Sequence, residues 1–151
     1  MINLVNSIKE GSRVQIGDSI FVPKAKAIYA TVSNPESWYA KVLFDQHRVL
    51  VVSPHDDYMA YGTIKESLEC NVPGPTVLSY DGDNYQKEVD DYQIVLSLDF
   101  GNPLEIEGEV LFSDYTSGDK VISIGVIART GERADMFGSV ISIEDVKVLE
   151  A

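Results

Sequence analysis

Apolar positions along the chain recur mostly at every second residue, the spacing that puts one face of a strand on a core and the other in water. Val14, Ile16, Ile20 and Val22 flank a Gly17-Asp18 turn, and Pro23 closes that unit. The stretch 25–32 alternates only loosely, Asn34-Pro35 interrupts the chain, and WYAKVLF at 38–44 follows as a strand. Asp45-Gln46 offers a tight turn into a strand over 47–53, which Pro54 ends, and YMAYGTI at 58–64 is its expected neighbour. In the second half TVLSY runs into Asp81-Gly82-Asp83-Asn84, a strong hairpin signal, and YQKEV and YQIVLSL read as the next two strands. A loop at Gly101-Asn102-Pro103 precedes a strand pair, 104–113 and 120–128, joined around Ser117-Gly118-Asp119. RTGERADMFG, punctuated by Gly131 and Gly138, reads as a polar loop. Ser142 and Asp145 have capping-box spacing, which predicts one helical turn before an extended VKVL at 146–149. The one clear helical stretch is at the start, where Ile2, Val5 and Ile8 recur at three-residue spacing ahead of Gly11.

Composition agrees with this pattern. The sequence holds 18 Val and 13 Ile against 8 Ala and 10 Leu, a balance that suits pleated, half-buried surfaces better than helices. The expectation is a mainly β fold, a sandwich or partly open barrel built from two sub-sheets, with a short N-terminal helix. Its 151 residues fit one domain, spanning 1–151. Residues 65–75, with Pro73-Gly74-Pro75, mark the best internal boundary, because that tripeptide has no place in a central strand.

Charge narrows the partners. With 24 acidic and 12 basic residues the net charge is −12. That disfavours nucleic acid, whose phosphates need clustered Lys and Arg, and it disfavours an anionic membrane surface. A protein partner with a basic surface is the complementary expectation. A single cysteine, Cys70, allows no internal disulfide and fits a reducing compartment. The start has no basic segment followed by an apolar core, and no apolar run approaches the ~20 residues of a membrane span. A cytoplasmic location without membrane insertion is expected.

Candidate chemistry is sparse. No glycine-rich phosphate loop is present, so no nucleotide cofactor is expected. Ser53, His55 and Asp56 contain the residue types of a hydrolase triad, but near neighbours on one strand point to alternate faces. Cys70 has only Lys65 as a nearby base and reads as an inert thiol. The acidic run Asp81, Asp83, Glu88, Asp90 and Asp91 is the candidate partner-binding surface, with a solvated hairpin tip as the plainer alternative. It lacks the spacing of a calcium loop.

Two resemblances add to this. RVLVVSPHDDYMAYGTI at 48–64 resembles the opening signature of the zinc-dependent N-acetylglucosaminyl deacetylases, the LmbE-like family. By that resemblance His55 and Asp57 would be metal ligands and Asp56 the base acting on metal-bound water. The residue that the family places between its His and its Asp pair is missing here. The only other histidine, His47, lies upstream rather than far downstream, and the family fold is a larger α/β domain. The likeness is therefore read as local, and no catalytic residue, cofactor or metal is expected. Separately, RVQIGDSIFV at 13–22, WYAKVLF, YDGDNYQKEV at 80–89 and SIGVIARTGERADMFGSVISIEDVKVL at 123–149 are similar to pieces of two uncharacterised bacterial families. These are encoded beside a phage-shock-protein-A-like membrane-stress protein. That resemblance implies an accessory, non-enzymatic role in an envelope-stress gene cluster and transfers no site residues. The combined expectation is a non-enzymatic protein-binding or accessory module. The alternatives are an immunity protein or DNA mimic acting on a basic partner and, after that, a zinc hydrolase at 53–57.

Overall fold

Two four-stranded antiparallel meanders form one continuous wall. A computed structural model describes residues 1–65 and 67–149, so residue 66 of the expected boundary lies outside the described residues. The first meander is β3 (Ala25–Thr31), β4 (Asn34–Leu43), β5 (Arg48–Ser53) and β6 (Tyr58–Lys65). The second is β8 (Asp83–Phe100), β9 (Val110–Ser117), β10 (Lys120–Ile127) and β11 (Asp135–Val140). Their outer strands join pairwise: β3 pairs with β8, and β6 with β11, which closes an eight-stranded barrel. β7 (Val77–Tyr80) forms a hairpin with the start of β8. A separate three-stranded sheet orders β12 (Val146–Leu149), β1 (Arg13–Ile16) and β2 (Ser19–Phe21), and α1 (Ile2–Ser7) precedes it.

Closure depends on local irregularity. β8 is one strand of 18 residues where the sequence suggested two. Its register shifts against β9 between Lys87 and Val89, and twice more where it meets β3. Each such bulge bends and twists a strand, which lets β8 serve β7, β9 and β3 in turn. At the opposite seam Gly62 faces Gly138. A Cβ on Gly62 would lie 2.4 Å from the Phe137 carbonyl oxygen and 2.8 Å from the Gly138 Cα, so side chains on both residues are excluded where the wall turns.

Three expectations need correction. The strand predicted from 104 starts at Val110, because Pro103–Glu105 form a 3₁₀ turn capped by the Asn102 side chain. The polar loop RTGERADMFG holds β11 from Asp135, since half-buried Arg133 pairs with the fully buried Asp135 and fixes a segment whose polarity suggested solvent. Pro35 lies inside β4, near its first residue, where the β3 ladder passes from Tyr29–Tyr39 directly to Thr31–Asn34. The capping box forms as predicted, with Ser142 and Asp145 bonding reciprocally around Ile143–Asp145.

The wall separates the buried side chains into distinct layers. Outward-facing Ala40, Val42, Leu50, Val52 and Met59 pack under Val5 of α1, Ile8 just after it, and Val14, Ile16 and Val146 of the small sheet. Lys26, 3% exposed, ties α1 down: its ammonium donates to the carbonyl oxygens of Val5 and Ile8 at 2.5 and 2.8 Å and pairs with Asp99 at 2.8 Å. These carbonyls belong to the unpaired C-terminal end of a helix, where a cation is favoured. On the opposite side Tyr115, Ile122, Ile124 and Phe137 are covered by Leu78 and Tyr85, with Leu68, Cys70 and Val72 packed against them. The segment carrying Cys70 is clamped there. Arg133 donates to the carbonyls of Leu68 and Cys70 while gripping the fully buried Asp135, which also accepts from the Leu68 N–H. Gly74 passes so close to the Tyr115 hydroxyl that a Cβ would meet it at 2.2 Å. No helix among the described residues is long and apolar enough to cross a membrane.

Candidate functional site

Residues of the opposite parity face the barrel axis. Along β4 these are Tyr39 and Lys41, along β5 Val49, Val51 and Ser53, along β9 Phe112 and Asp114, and along β10 Val121 and Ser123. Outward-facing Ala40, Val42, Leu50, Val52, Tyr115 and Ile122 are buried, yet inward-facing Tyr39, Lys41, Val51, Tyr58, Asp114, Ser123 and Met136 are each only half-buried. The surface they retain faces a cavity of about 410 Å³ inside the barrel. That size falls in the ~300–1,000 Å³ range of small-molecule pockets.

The floor is built by the loop before β9. Ile106 inserts against Ala25, Ala27 and Tyr29. Glu107 receives the Lys41 ammonium at 3.2 and 3.3 Å through its two oxygens. Lys41 also lies 5.2 Å from the centre of the Tyr29 ring, which stacks on Tyr39 at 5.9 Å. The Tyr39 hydroxyl donates to Gln93 Oε1 at 3.0 Å, and the Gln93 amide donates to the Gly108 carbonyl at 3.3 Å. Every polar group of this floor thus has a partner, as a desolvated polar cluster requires.

Asp114 is different. Its Oδ1 is buried and accepts no hydrogen bond. Burial pushes its carboxyl up to about 6, against the opposing pull of the Ser123 hydroxyl and the Lys41 ammonium. Tyr58 is pushed up to about 12, by burial first and by the Asp114 charge second. Tyr39 is raised by the same two causes in the same order. Asp114 is therefore a charge-costing group flanked by two neutral phenols on the wall of the cavity.

At the other end the mouth is polar. Ser33 and Asn34 from the β3–β4 turn, Asp56 from the Pro54–Asp56 3₁₀ turn, and Glu88 and Asp91 from β8 line it. Two separate groups of candidates from the sequence meet here: Asp56 from SPHDD and Glu88 and Asp91 from the acidic run. Their neighbours point elsewhere. His55 is exposed and stands edge-on to Trp38 at 5.4 Å, and Asp57 occupies the left-handed region at φ 49° in the β5–β6 turn. Among the described residues no group of three His, Cys, Asp or Glu side chains gathers to hold a metal ion.

Most of the acidic run is engaged by its own chain. Asp81 occupies the hairpin tip at φ 49°. Asp83 pairs with Lys120 at 2.6 Å, and Glu88 accepts from the Thr116 hydroxyl at 2.6 Å. Asp91 accepts from the Ser33 hydroxyl and from the Tyr92 N–H. Asp90 accepts from Ser113 at 2.6 Å and pairs with Lys87 at 3.1 Å; the Ser113 bond is the main reason its carboxyl falls below the usual range.

The residues that sequence reasoning passed over are Tyr39, Lys41, Gln93, Glu107 and Asp114. One signal was available: Lys41 and Asp114 interrupt apolar strands at positions whose neighbours on both sides are buried. Compared with protein-family models, with curated proteins and with solved structures, the chain finds no match.

Proposed function

We propose that this chain is a non-enzymatic binding module whose site is the barrel lumen and whose ligand is a small molecule with a substantial apolar body. The carrying observation is the burial pattern of the wall: the outward side chains of β4, β5, β9 and β10 are covered by two layers, while inward Tyr39, Lys41, Val51 and Asp114 keep surface on a cavity of about 410 Å³. A barrel needing only stability would fill its axis with interlocking side chains. Here Val49, Val51, Phe112, Val121 and Met136 supply apolar wall, and a few fixed polar groups supply orientation. The binding role expected from the sequence is kept; the partner moves from a protein surface to a ligand enclosed by the fold.

The test is titration with the uncharged dye Nile red. We expect one equivalent to bind with enhanced, blue-shifted emission, and Val51→Trp, which projects bulk into the lumen, to abolish it while the unfolding midpoint stays near that of the parent. Ala60→Phe plugs the same space from β6 and replaces the first variant should that one misfold. Absence of dye binding, or equal binding by a folded plugged variant, refutes the reading.

A further inference from the structure

We infer that the lumen selects an organic monocation: an ammonium group carried on an apolar or aromatic body, with the charged end against Asp114. The inference rests on the lumen being the binding site and adds the ligand's charge.

Three observations converge. The first is the unpartnered Asp114 Oδ1, in a protein whose other buried side-chain polar atoms among the described residues have hydrogen-bond partners. An orphaned buried acceptor marks a missing donor. The second is charge balance. The described residues lining the cavity include Asp56, Glu88, Asp91, Glu107 and Asp114 but a single cation, Lys41, and that cation is committed to Glu107 through both carboxylate oxygens. The inner cluster of Lys41, Glu107 and Asp114 is one positive charge short of neutrality, and one ligand ammonium supplies it. An anionic ligand would meet the acidic mouth first and Asp114 next. The third is the wall around the deficit. Tyr39 and Tyr58, both held neutral, and Phe112 present aromatic surface to the same space, a setting that favours a cation over a neutral group. The acidic mouth then raises the local concentration of such ligands.

The test uses three probes that share one phenethyl frame and differ in the terminal group: 2-phenylethylammonium, 2-phenylethanol and 3-phenylpropionate, titrated calorimetrically into the full chain at pH 7.5. The ammonium is expected to bind one to one and at least tenfold tighter than the alcohol, with the carboxylate weakest. Asp114→Asn should reduce the ammonium's advantage over the alcohol to less than threefold while leaving alcohol binding in place. Equal binding of all three probes, or an advantage that survives in Asp114→Asn, overturns the charge assignment and leaves the lumen reading standing. Failure of every probe at millimolar concentration also overturns the charge assignment, and the dye titration then decides the lumen separately. Ammonium binding that persists in Val51→Trp places the site outside the lumen and overturns both.

Discussion

Replacing Asp114 with asparagine should stabilise the protein. The carboxyl titrates near 6 in the folded chain against an ordinary 3.8, so the folded state holds the proton more tightly than the unfolded state. A group shifted upward costs nothing at pH below 3.8, where both states are protonated. It costs progressively more as pH rises, and the full amount above about 6. That difference in proton affinity corresponds to about 3 kcal/mol at neutral pH, at ~1.4 kcal/mol per factor of ten. Asparagine removes the charge but brings an amide whose hydrogens need partners, which returns about 1 kcal/mol. The net expectation is about 2 kcal/mol at pH 7.5, or a rise of about 4–8 °C in melting temperature for a chain of this size. Urea and thermal unfolding of both proteins across the pH range provide the assay. The groups facing Asp114 are Lys41 from β4, Ser123 from β10 and the phenols of Tyr39 and Tyr58; Tyr39 and Tyr58 both titrate far above this window. The difference between variant and parent should therefore be slightly unfavourable at pH 4, where the amide's cost of about 1 kcal/mol outweighs the charge cost, rise through zero between 4 and 6, and then level off at about 2 kcal/mol. A variant no more stable than the parent at pH 7.5, or two curves that run parallel from pH 4 to 6, would refute the placement of an uncompensated charge on the lumen wall.

Four further outcomes follow from the same geometry. Affinity for 2-phenylethylammonium should weaken as pH falls below about 6, because the cation needs the ionised carboxylate, and calorimetry at pH 5 and 7.5 measures the ratio. Asp135→Ala strips the partner from Arg133 and the acceptor from the Leu68 N–H; it should cost about 3 kcal/mol by urea unfolding and expose the segment near Cys70 to limited proteolysis. Lys26→Met should leave the Val5 and Ile8 carbonyls without their donor, costing about 2 kcal/mol and speeding amide exchange in α1 before the barrel strands. Gly62→Ala forces a Cβ onto the Phe137 carbonyl across the seam, and a loss of about 3 kcal/mol by thermal unfolding is expected; a loss below 1 kcal/mol would show that the seam can yield.

The strands that proved legible are those with clean alternation and a turn signal at each end, such as β5 and β6 on either side of Pro54. β11 was hidden because its sequence, DMFGSV, carries a buried acid and a glycine. Their partners are the reason: Asp135 is held by Arg133 two residues before it and by the Leu68 N–H far away in sequence, and Gly138 lies opposite the distant Gly62. The same reason hid the site. Alternation reports that two faces differ but not which of them lies in a closed lumen, and on this wall the more apolar face is the outer one. Lys41 gains its meaning from Glu107, and Asp114 from an Oδ1 with no hydrogen-bond partner among the described residues; neither can be read from local spacing. The acidic residues were visible as composition, but only closure of the barrel sets Asp56, Glu88 and Asp91 around one cavity.

The two seams also bear on how the chain acquires its fold. Thr31 must find Gln93, and Gly62 must find Gly138, so neither meander has a protected edge until the other has been made. Pairings this remote in sequence place the molecule among slow folders, and during synthesis the first meander waits with both edges open to any passing strand. Residues 67–76 lie over the outer face of β9, β10 and β11 and outside the strands of the ladder, so a chain cut there would yield two halves, each a meander whose edge strands match those of the other. Neither half encloses a lumen alone, and recovery of dye binding on mixing them would report barrel closure directly.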